Sequence, residues 1–491
     1  MRTKTIYFIL FCCIIPLTGF SQTDSIAKRF KKEFNSFNQS IQQKHQGFRT
    51  KNDSIFLLFL KDSWASFDVL YKGKPTELKP SVKPEIEHQL IKIAVPTEEI
   101  LITDSSKSER ISKSPEIEKQ LEKKELPAPI ESTGRATLNI DFYGKESSLA
   151  FPSDIPEVGS VSSETITTYF IRTGNSPAIV RLIAELQDLK VKLRLNDWGY
   201  FKLVESCAGK IESDFSSKNL LTWVILIKSG YNAKTGFSNG KVYLLLPFQE
   251  ELFNNYYIHI NGQDYFIPIK NIKAEEISQL TVHKSDYPGN SLFSLMIVQL
   301  PDLGNKTLRR EFSFRGTKLI VNQSEQLINF YKDYPMSEMK IYFSSPLSKM
   351  VLEYLEFYFA SKFKGLSEKE KVAVLLEFTQ KTFSYQSDKD QFAQEKYFFP
   401  DELFFYPYSD CEDRAVLFAK LIKHFTHFDC IALDYPGHVN TAVNFGEETR
   451  GSFITVKGNK YVVCDPTYVN APIGYLPEEF KGIKPKVITF D

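Results

Sequence analysis

The stretch Tyr408-Ser409-Asp410-Cys411-Glu412-Asp413-Arg414-Ala415 and the apolar run behind it restrict this chain most. Val416, Leu417, Leu421 and Ile422 recur at helical spacing, with Phe418 and Ala419 between them. The spacing predicts a buried helix over Glu412–His424, with Asp410 or Ser409 placed to cap it. Cys411 then lies at the helix N-terminus, beside backbone N–H groups that lack intrahelical acceptors and at the positive end of the helix dipole. In such a setting a thiol can lose its proton near neutral pH.

Two later stretches complete a possible catalytic set: Tyr435-Pro436-Gly437-His438-Val439 and Val463-Cys464-Asp465-Pro466-Thr467-Tyr468. Taken singly, each member has an ordinary reading. A lone helix-start Cys is usually a small buried hydrophobe, a strand His a structural residue, and an Asp before Pro a turn former. The combination carries the signal. A Cys opens a helix, a His begins an apolar strand and an Asp ends a later strand. That order can bring together a thiolate, a general base and an orienting carboxylate.

The stretches SDCEDRAVLFAKLIK, YPGHVNTAVNF and YVVCDPTY resemble the transglutaminase-like superfamily of papain-like cysteine acyltransferases and peptidases. The resemblance covers roughly Leu366 to Pro477 and is most specific around DCEDRA and CDPTY. It implies Cys411, His438 and Asp465 as catalytic nucleophile, base and orienting acid. One departure stands out. Members commonly have a short hairpin between His and Asp, whereas here Gly446–Ser452 and Gly458-Asn459 predict an added strand or long loop. The implied chemistry is attack of Cys411 on an amide carbonyl to give a thioester, hydrolysis being expected ahead of transamidation. The backbone N–H of Cys411 is one oxyanion donor. A second is expected from Gln391–Tyr408, with Gln394, Tyr406 and Tyr408 as candidates. Glu412 and Asp413 are expected to point away from the thiol, Asp413 toward Arg414 or the preceding loop.

The expected fold class is α+β and multidomain, with a C-terminal papain-like domain in which the Cys helix packs on an antiparallel sheet. The domain map reads 1–21 as a signal peptide, 22–103 as an N-terminal helical hairpin with a Pro/Lys-rich strap, and 104–135 as a linker. It continues with 136–345 as a middle α+β and β-rich region and 346–491 as the transglutaminase-like domain. Within 1–21, Arg2 and Lys4 precede an apolar core, and Gly19 and Ser21 suit a signal peptidase. The mature chain is therefore expected to be exported, to the periplasm or beyond, without an integral membrane segment. Ser25–Gln43 and Asp53–Leu70 carry the periodicity of amphipathic helices.

In the middle region, Leu220–Lys228 reads as an apolar helix. Four strands follow, with Asn239-Gly240 and Asn261-Gly262 as hairpin turns. Setting Leu226-Ile227-Lys228 against Leu421-Ile422-Lys423 puts Ser216 opposite Cys411 and Tyr243 opposite His438. This region is either a degenerate second papain-like unit or a convergence of ordinary α+β patterning. Gln279–Val321 is expected to form a β-sandwich or extended sheet.

A formal net charge of +1 gives no electrostatic basis for nucleic acid as a partner. The expected partner is a protein or peptide substrate. CxxC, HExxH and GxxxxGK[ST] patterns are absent, so neither metal nor cofactor is expected. Beyond the signal segment the cysteines are Cys207, Cys411, Cys430 and Cys464. Cys430 and Cys464 could pair or stand as two buried thiols. The alternative function is a non-catalytic transglutaminase-like scaffold of the cell envelope.

Overall fold

A computed structural model describes residues 137–490, apart from 154, 271, 278–279, 285–288 and 447–448. The signal segment, the N-terminal helical hairpin, the strap and the linker all lie outside the described residues. Within them the chain is mixed α+β, with eleven α-helices and antiparallel sheets. No helix among the described residues is long and apolar enough to cross a membrane.

The first described elements are a hairpin, β1 (Thr137–Phe142) and β2 (Lys145–Ala150). Helices Ser163–Gly174, Pro177–Lys192, Asp197–Ile211 and Phe215–Lys228 follow. Their starts are written in the sequence. Asn196 and Asp214 cap the last two, and Pro177 occupies a first-turn position where its missing N–H costs nothing. In the Phe215–Lys228 helix every residue from Asn219 to Ile227 is buried, as an unbroken apolar run demands. Next come β3 (Lys234–Ser238), β4 (Lys241–Pro247), β5 (Tyr257–Ile260), β6 (Gln263–Phe266) and β7 (Thr281–Val282). Asn239-Gly240 and Asn261-Gly262 turn the hairpins with φ positive at both residues, the type I′ geometry that Asn-Gly favours.

The expected sandwich over Gln279–Val321 does not form. After β7 the chain runs mainly as irregular structure with isolated bridges, Tyr231 to Ser291 and Phe248 to Phe293. One long hairpin then follows, β8 (Thr307–Phe314) and β9 (Thr317–Ser324). The apolar residues Phe293, Leu295 and Ile297 are buried, so they fill the core as loop side chains rather than as a ladder. Helices Glu325–Asp333, Met339–Ser344, Lys349–Ala360 and Glu368–Thr382 lead to the C-terminal unit. Ser367 and Glu370 form a capping box at the start of the last of these helices, each residue's backbone N–H bonded to the other's side chain at 2.7 and 3.3 Å.

A short parallel pair, β10 (Ser384–Tyr385) and β11 (Tyr408–Ser409), frames the segment ahead of the Cys411–Phe425 helix. That helix is followed by β12 (Asp429–Tyr435), β13 (His438–Asn444), β14 (Phe453–Val456), β15 (Asn459–Cys464) and β16 (Lys486–Ile488). Between His438 and Asp465, where an added strand or long loop is expected, the chain forms β14.

The two five-stranded sheets have the same topology. One runs β5-β6-β4-β3-β7 and the other β14-β15-β13-β12-β16. Numbered within its own unit, each is 3-4-2-1-5, with antiparallel pairs throughout. Each sheet follows a helix that packs on its second strand, and each of those helices packs on an earlier one, Asp197–Ile211 or Glu368–Thr382. The faces agree as well. Val242, Leu244 and Leu246 join the core cluster that contains their helix, while Tyr243 and Leu245 join a separate cluster on the other face. Val439 and Val443 face their helix in the same way, and Ala442 turns to the opposite cluster. The alternation is the period-two pattern of a strand buried on both sides.

Candidate active site

The Cys411–Phe425 helix starts one residue earlier than the spacing predicts, with Asp410 as its N-cap residue. Cys411 is thus the first helical residue, and it is fully buried. The Pro436-Gly437 corner, with Gly437 at φ 74°, turns β12 into β13 in the manner of a type II turn. It places His438 first on β13, paired with Tyr435. Asp465 follows directly on β15, whose last residue, Cys464, pairs with Thr441 of β13.

These elements converge at one end of the sheet. His438 Nε2 lies 2.6 Å from Asp465 Oδ2. The Val439 amide, next in chain to His438, donates to Cys411 Sγ at 3.1 Å. With Nε2 engaged by the carboxylate, Nδ1 is the imidazole nitrogen that remains for a thiol or substrate. The second Asp465 oxygen, Oδ1, accepts from the amides of Thr467 and Tyr468 at 2.9 and 3.3 Å. The carboxylate is therefore fixed before it meets the imidazole. All three residues are at most 1% exposed. Phe480 stacks on the His438 ring at 5.1 Å and Tyr468 meets it edge-on at 5.3 Å.

Two buried polar residues that sequence reasoning missed hold this arrangement. Gln380 Nε2 donates to the carbonyls of Asp465 (2.8 Å) and Ala471 (3.0 Å), and its Oε1 accepts from the Asn470 amide at 3.2 Å. A signal existed. Gln380 continues the buried face of Val372 and Leu376 at four-residue steps, so it is a polar residue on an apolar stripe. Arg414, 1% exposed, donates to Ser409 Oγ (3.1 Å) and to the carbonyls of Phe383 (2.6 Å), Thr467 (3.4 Å) and Gln380 (3.5 Å). It ties the start of the Cys411 helix to the loop after Asp465. That loop is also pinned by glycine. Ser452 N–H donates to Gly474 O at 2.8 Å, and a Cβ on Gly451 would come within 2.3 Å of Gly474 Cα.

The acidic residues do not all behave as expected. Asp413 does bond the loop, accepting from the Phe398 amide at 3.0 Å and from the Asp410 amide at 3.2 Å. Glu412 does not point away. It is 1% exposed, and the Cys411 thiol donates to its Oε2 at 3.1 Å. It lies inward, at the same spot to which the segment before the helix brings Asp388. The carboxylates of Asp388, Asp410 and Glu412 have oxygens within 4.8 Å of one another. Burial, then the Asp410 and Glu412 charges, pushes the Asp388 carboxyl up to about 10. Burial first, then Asp410, raises Asp413 well above the carboxylate range. Protonated acids are the physical answer to crowding without solvent. A charged Glu412 opposes a thiolate at Cys411, and a protonated one donates to it.

A pH dependence follows. Below about pH 4 the Asp388 carboxyl is protonated in both folded and unfolded chains. As pH rises the unfolded chain gives up this proton while the folded chain keeps it up to about pH 10. Stability therefore falls with rising pH across that window, by at most about 1.4 kcal/mol per pH unit for one group. Asp388→Asn, which retains an acceptor for the Lys396 amide, should flatten the slope and so stabilise the chain more at pH 8 than at pH 5. Urea unfolding at pH 5 and pH 8 compares the two chains. Equal slopes would show that the proton is not held.

The remaining sequence candidates lie in the segment before the helix. Gln394 is exposed, Tyr408 is 40% exposed on β11, and the Tyr406 ring stacks on Phe398 at 4.7 Å. Gln391 is the residue whose amide reaches the Tyr408 carbonyl, at 3.5 Å. Cys207, Cys430 and Cys464 are buried free thiols, so Cys430 and Cys464 are unpaired with each other.

The first sheet shows what the same topology carries without these residues. The Val242 amide donates to Ser216 Oγ at 3.1 Å, matching the Val439–Cys411 bond in strand position. Ser216 thus stands where Cys411 does. The counterpart of His438 is Lys241, paired with Ser238 at its hairpin, and not Tyr243. β3 has five residues against seven in β12, so the turn arrives two residues sooner than a constant offset allows. The residue following β6, where Asp465 follows β15, is Ile267. Compared with protein-family models, curated proteins and solved structures, the chain matches none.

Proposed function

We propose that the chain is an exported cysteine-dependent enzyme of transglutaminase-like, papain-like type that acts on amide bonds. The observation that carries this reading is the convergence of the His438–Asp465 pair, 2.6 Å apart, on the strand whose next amide bonds Cys411 Sγ at 3.1 Å. An amide N–H directed at sulfur favours the charged form of a thiol. His438 Nδ1 takes the thiol proton, and Asp465 stabilises the resulting imidazolium.

Sulfur then attacks the carbonyl carbon of a peptide or isopeptide. The C–S bond forms, and the carbonyl oxygen takes the electron pair as an oxyanion beside the backbone amides of the helix start. Collapse restores the C=O and breaks the C–N bond, and the imidazolium gives its proton to the departing amine. The product is a thioester on Cys411. Water deprotonated by His438 adds to it, releasing a carboxylic acid and the free thiol. An amine acceptor in place of water gives a new amide, and hydrolysis is favoured here. The unit around Ser216, Lys241 and Ile267 has the same strand order without this chemistry. We take it as a degenerate copy that contributes scaffold.

The test is thioester capture. Protein recovered from a cell-envelope fraction, with an intact mass beginning at Gln22, is incubated with a peptide library and quenched in acid. A mass increment on the Cys411 peptide that hydroxylamine removes is expected. Retention of Met1–Ser21 would contradict export, and no increment with any peptide would contradict the enzyme. The scaffold reading draws on the complete burial of Cys411 and its contact with Glu412. It predicts peptide binding without turnover.

A further inference from the structure

Away from Cys411, the other end of the same helix forms one wall of a cavity of about 790 Å³, within the usual range of small-molecule sites. Lys420, Lys423 and His424 of this helix line it together with Lys340 of the Met339–Ser344 helix. Leu352 and Phe490 are among its apolar walls, and no carboxylate occurs among its described lining residues. Basic residues in a last helical turn ordinarily complement the helix dipole, and that accounts for Lys423 and His424. It does not account for Lys420, a turn further in, or for Lys340 on a separate helix.

Lys420 is the informative residue. It is 7% exposed, and its ammonium donates to the Phe343 carbonyl. Burial first, then the like charge of Lys423, pushes it down to about 7. His424 has a neighbour of opposite sign, Glu356, at 2.8 Å. No ion pair to Lys340, Lys420 or Lys423 occurs among the described residues. A buried amine on an apolar wall, crowded by like charge, is stabilised by an anion that brings its own apolar body.

We propose that this cavity binds a small amphiphilic carboxylate, its head group on Lys420 with Lys423 and Lys340 at the rim and its apolar body against Leu352 and Phe490. The site is independent of the chemistry at Cys411. The probe is decanoate, with decanol and decyltrimethylammonium as neutral and cationic counterparts, each titrated calorimetrically into the full chain below its micellar concentration. Saturable one-to-one binding of decanoate is expected, at least ten-fold tighter than either counterpart. Lys420→Met, which keeps the apolar stem, should weaken decanoate at least ten-fold and leave decanol unchanged. Lys423→Gln, at an exposed position, should weaken it several-fold and keeps the test decisive if Lys420→Met fails to fold. Decanol binding as tightly as decanoate, no saturable binding, or decanoate affinity indifferent to these substitutions would overturn the proposal.

Discussion

Cys411→Ala is expected to abolish amide-bond chemistry, with a loss on the order of 10⁴- to 10⁶-fold in turnover, as for other nucleophiles of coupled catalytic sets. The substitution removes one sulfur from a fully buried site, so its cost in stability should be small, about 1–2 kcal/mol. His438→Ala should be nearly as damaging to turnover, since it removes the proposed proton carrier. Asp465→Asn should cost less, roughly 10²- to 10⁴-fold. The amides of Thr467 and Tyr468 still find an acceptor in the Asn oxygen, and the imidazole loses only its anionic partner. Initial rates on a substrate identified by thioester capture, with urea unfolding in parallel, separate the two effects. A Cys411→Ala protein within ten-fold of the parent rate would remove this thiol from the chemistry.

The largest expected effect on stability is at Arg414. The residue is 1% exposed, and its guanidinium serves four acceptors on three segments: Ser409, the Gln380–Phe383 helix end, and Thr467 beyond Asp465. The Tyr385 ring lies 5.5 Å from the guanidinium carbon. Burial lowers the basicity of this arginine, yet a guanidinium keeps its proton under any ordinary condition. Arg414→Met fills similar volume but leaves the carbonyls without donors, at about 3–5 kcal/mol in total. Arg414→Lys should not rescue, because an ammonium cannot span the same fork. Since the clamp connects the Cys411 helix to the Asp465 loop, activity should fall even where the variant remains folded. Urea midpoints measure the loss, and a shift below about 1 kcal/mol would mean that water serves those carbonyls.

Much of the site was legible in the sequence because local rules there are strong. Asp410-Cys411 ahead of an apolar run marks a helix start, Pro436-Gly437 a turn, and Asp465-Pro466 a strand end. The Asn-Gly hairpins and the Ser367/Glu370 box were equally plain. The Ser163–Gly174 helix was not, because its Thr-rich start has weak helix propensity and its box uses Thr165 in place of an acid. The supposed sandwich over Gln279–Val321 failed because short apolar runs fill loops in a core as readily as they form strands. What the sequence could not show is set by distant packing. Phe480 reaches His438 from a separate short helix. Glu412 lies inward, its carboxylate grouped with those of Asp388 and Asp410. The likeness of the two units was visible as a rhythm of helices and strands. Its register was hidden by the two-residue difference between β3 and β12.

The most direct measurement on the central claim is the order in which the thiols react. The folded chain is treated with limiting iodoacetamide near neutral pH, and peptides are mapped over time. Burial pushes the Cys207 thiol up to about 12 and raises those of Cys430 and Cys464, so these three should remain thiols and label slowly. A catalytic Cys411 is labelled first, and His438→Ala slows its labelling while leaving the other three unchanged. Labelling of Cys411 only together with the others on unfolding, or at a rate indifferent to His438, would contradict a Cys411–His438 catalytic pair.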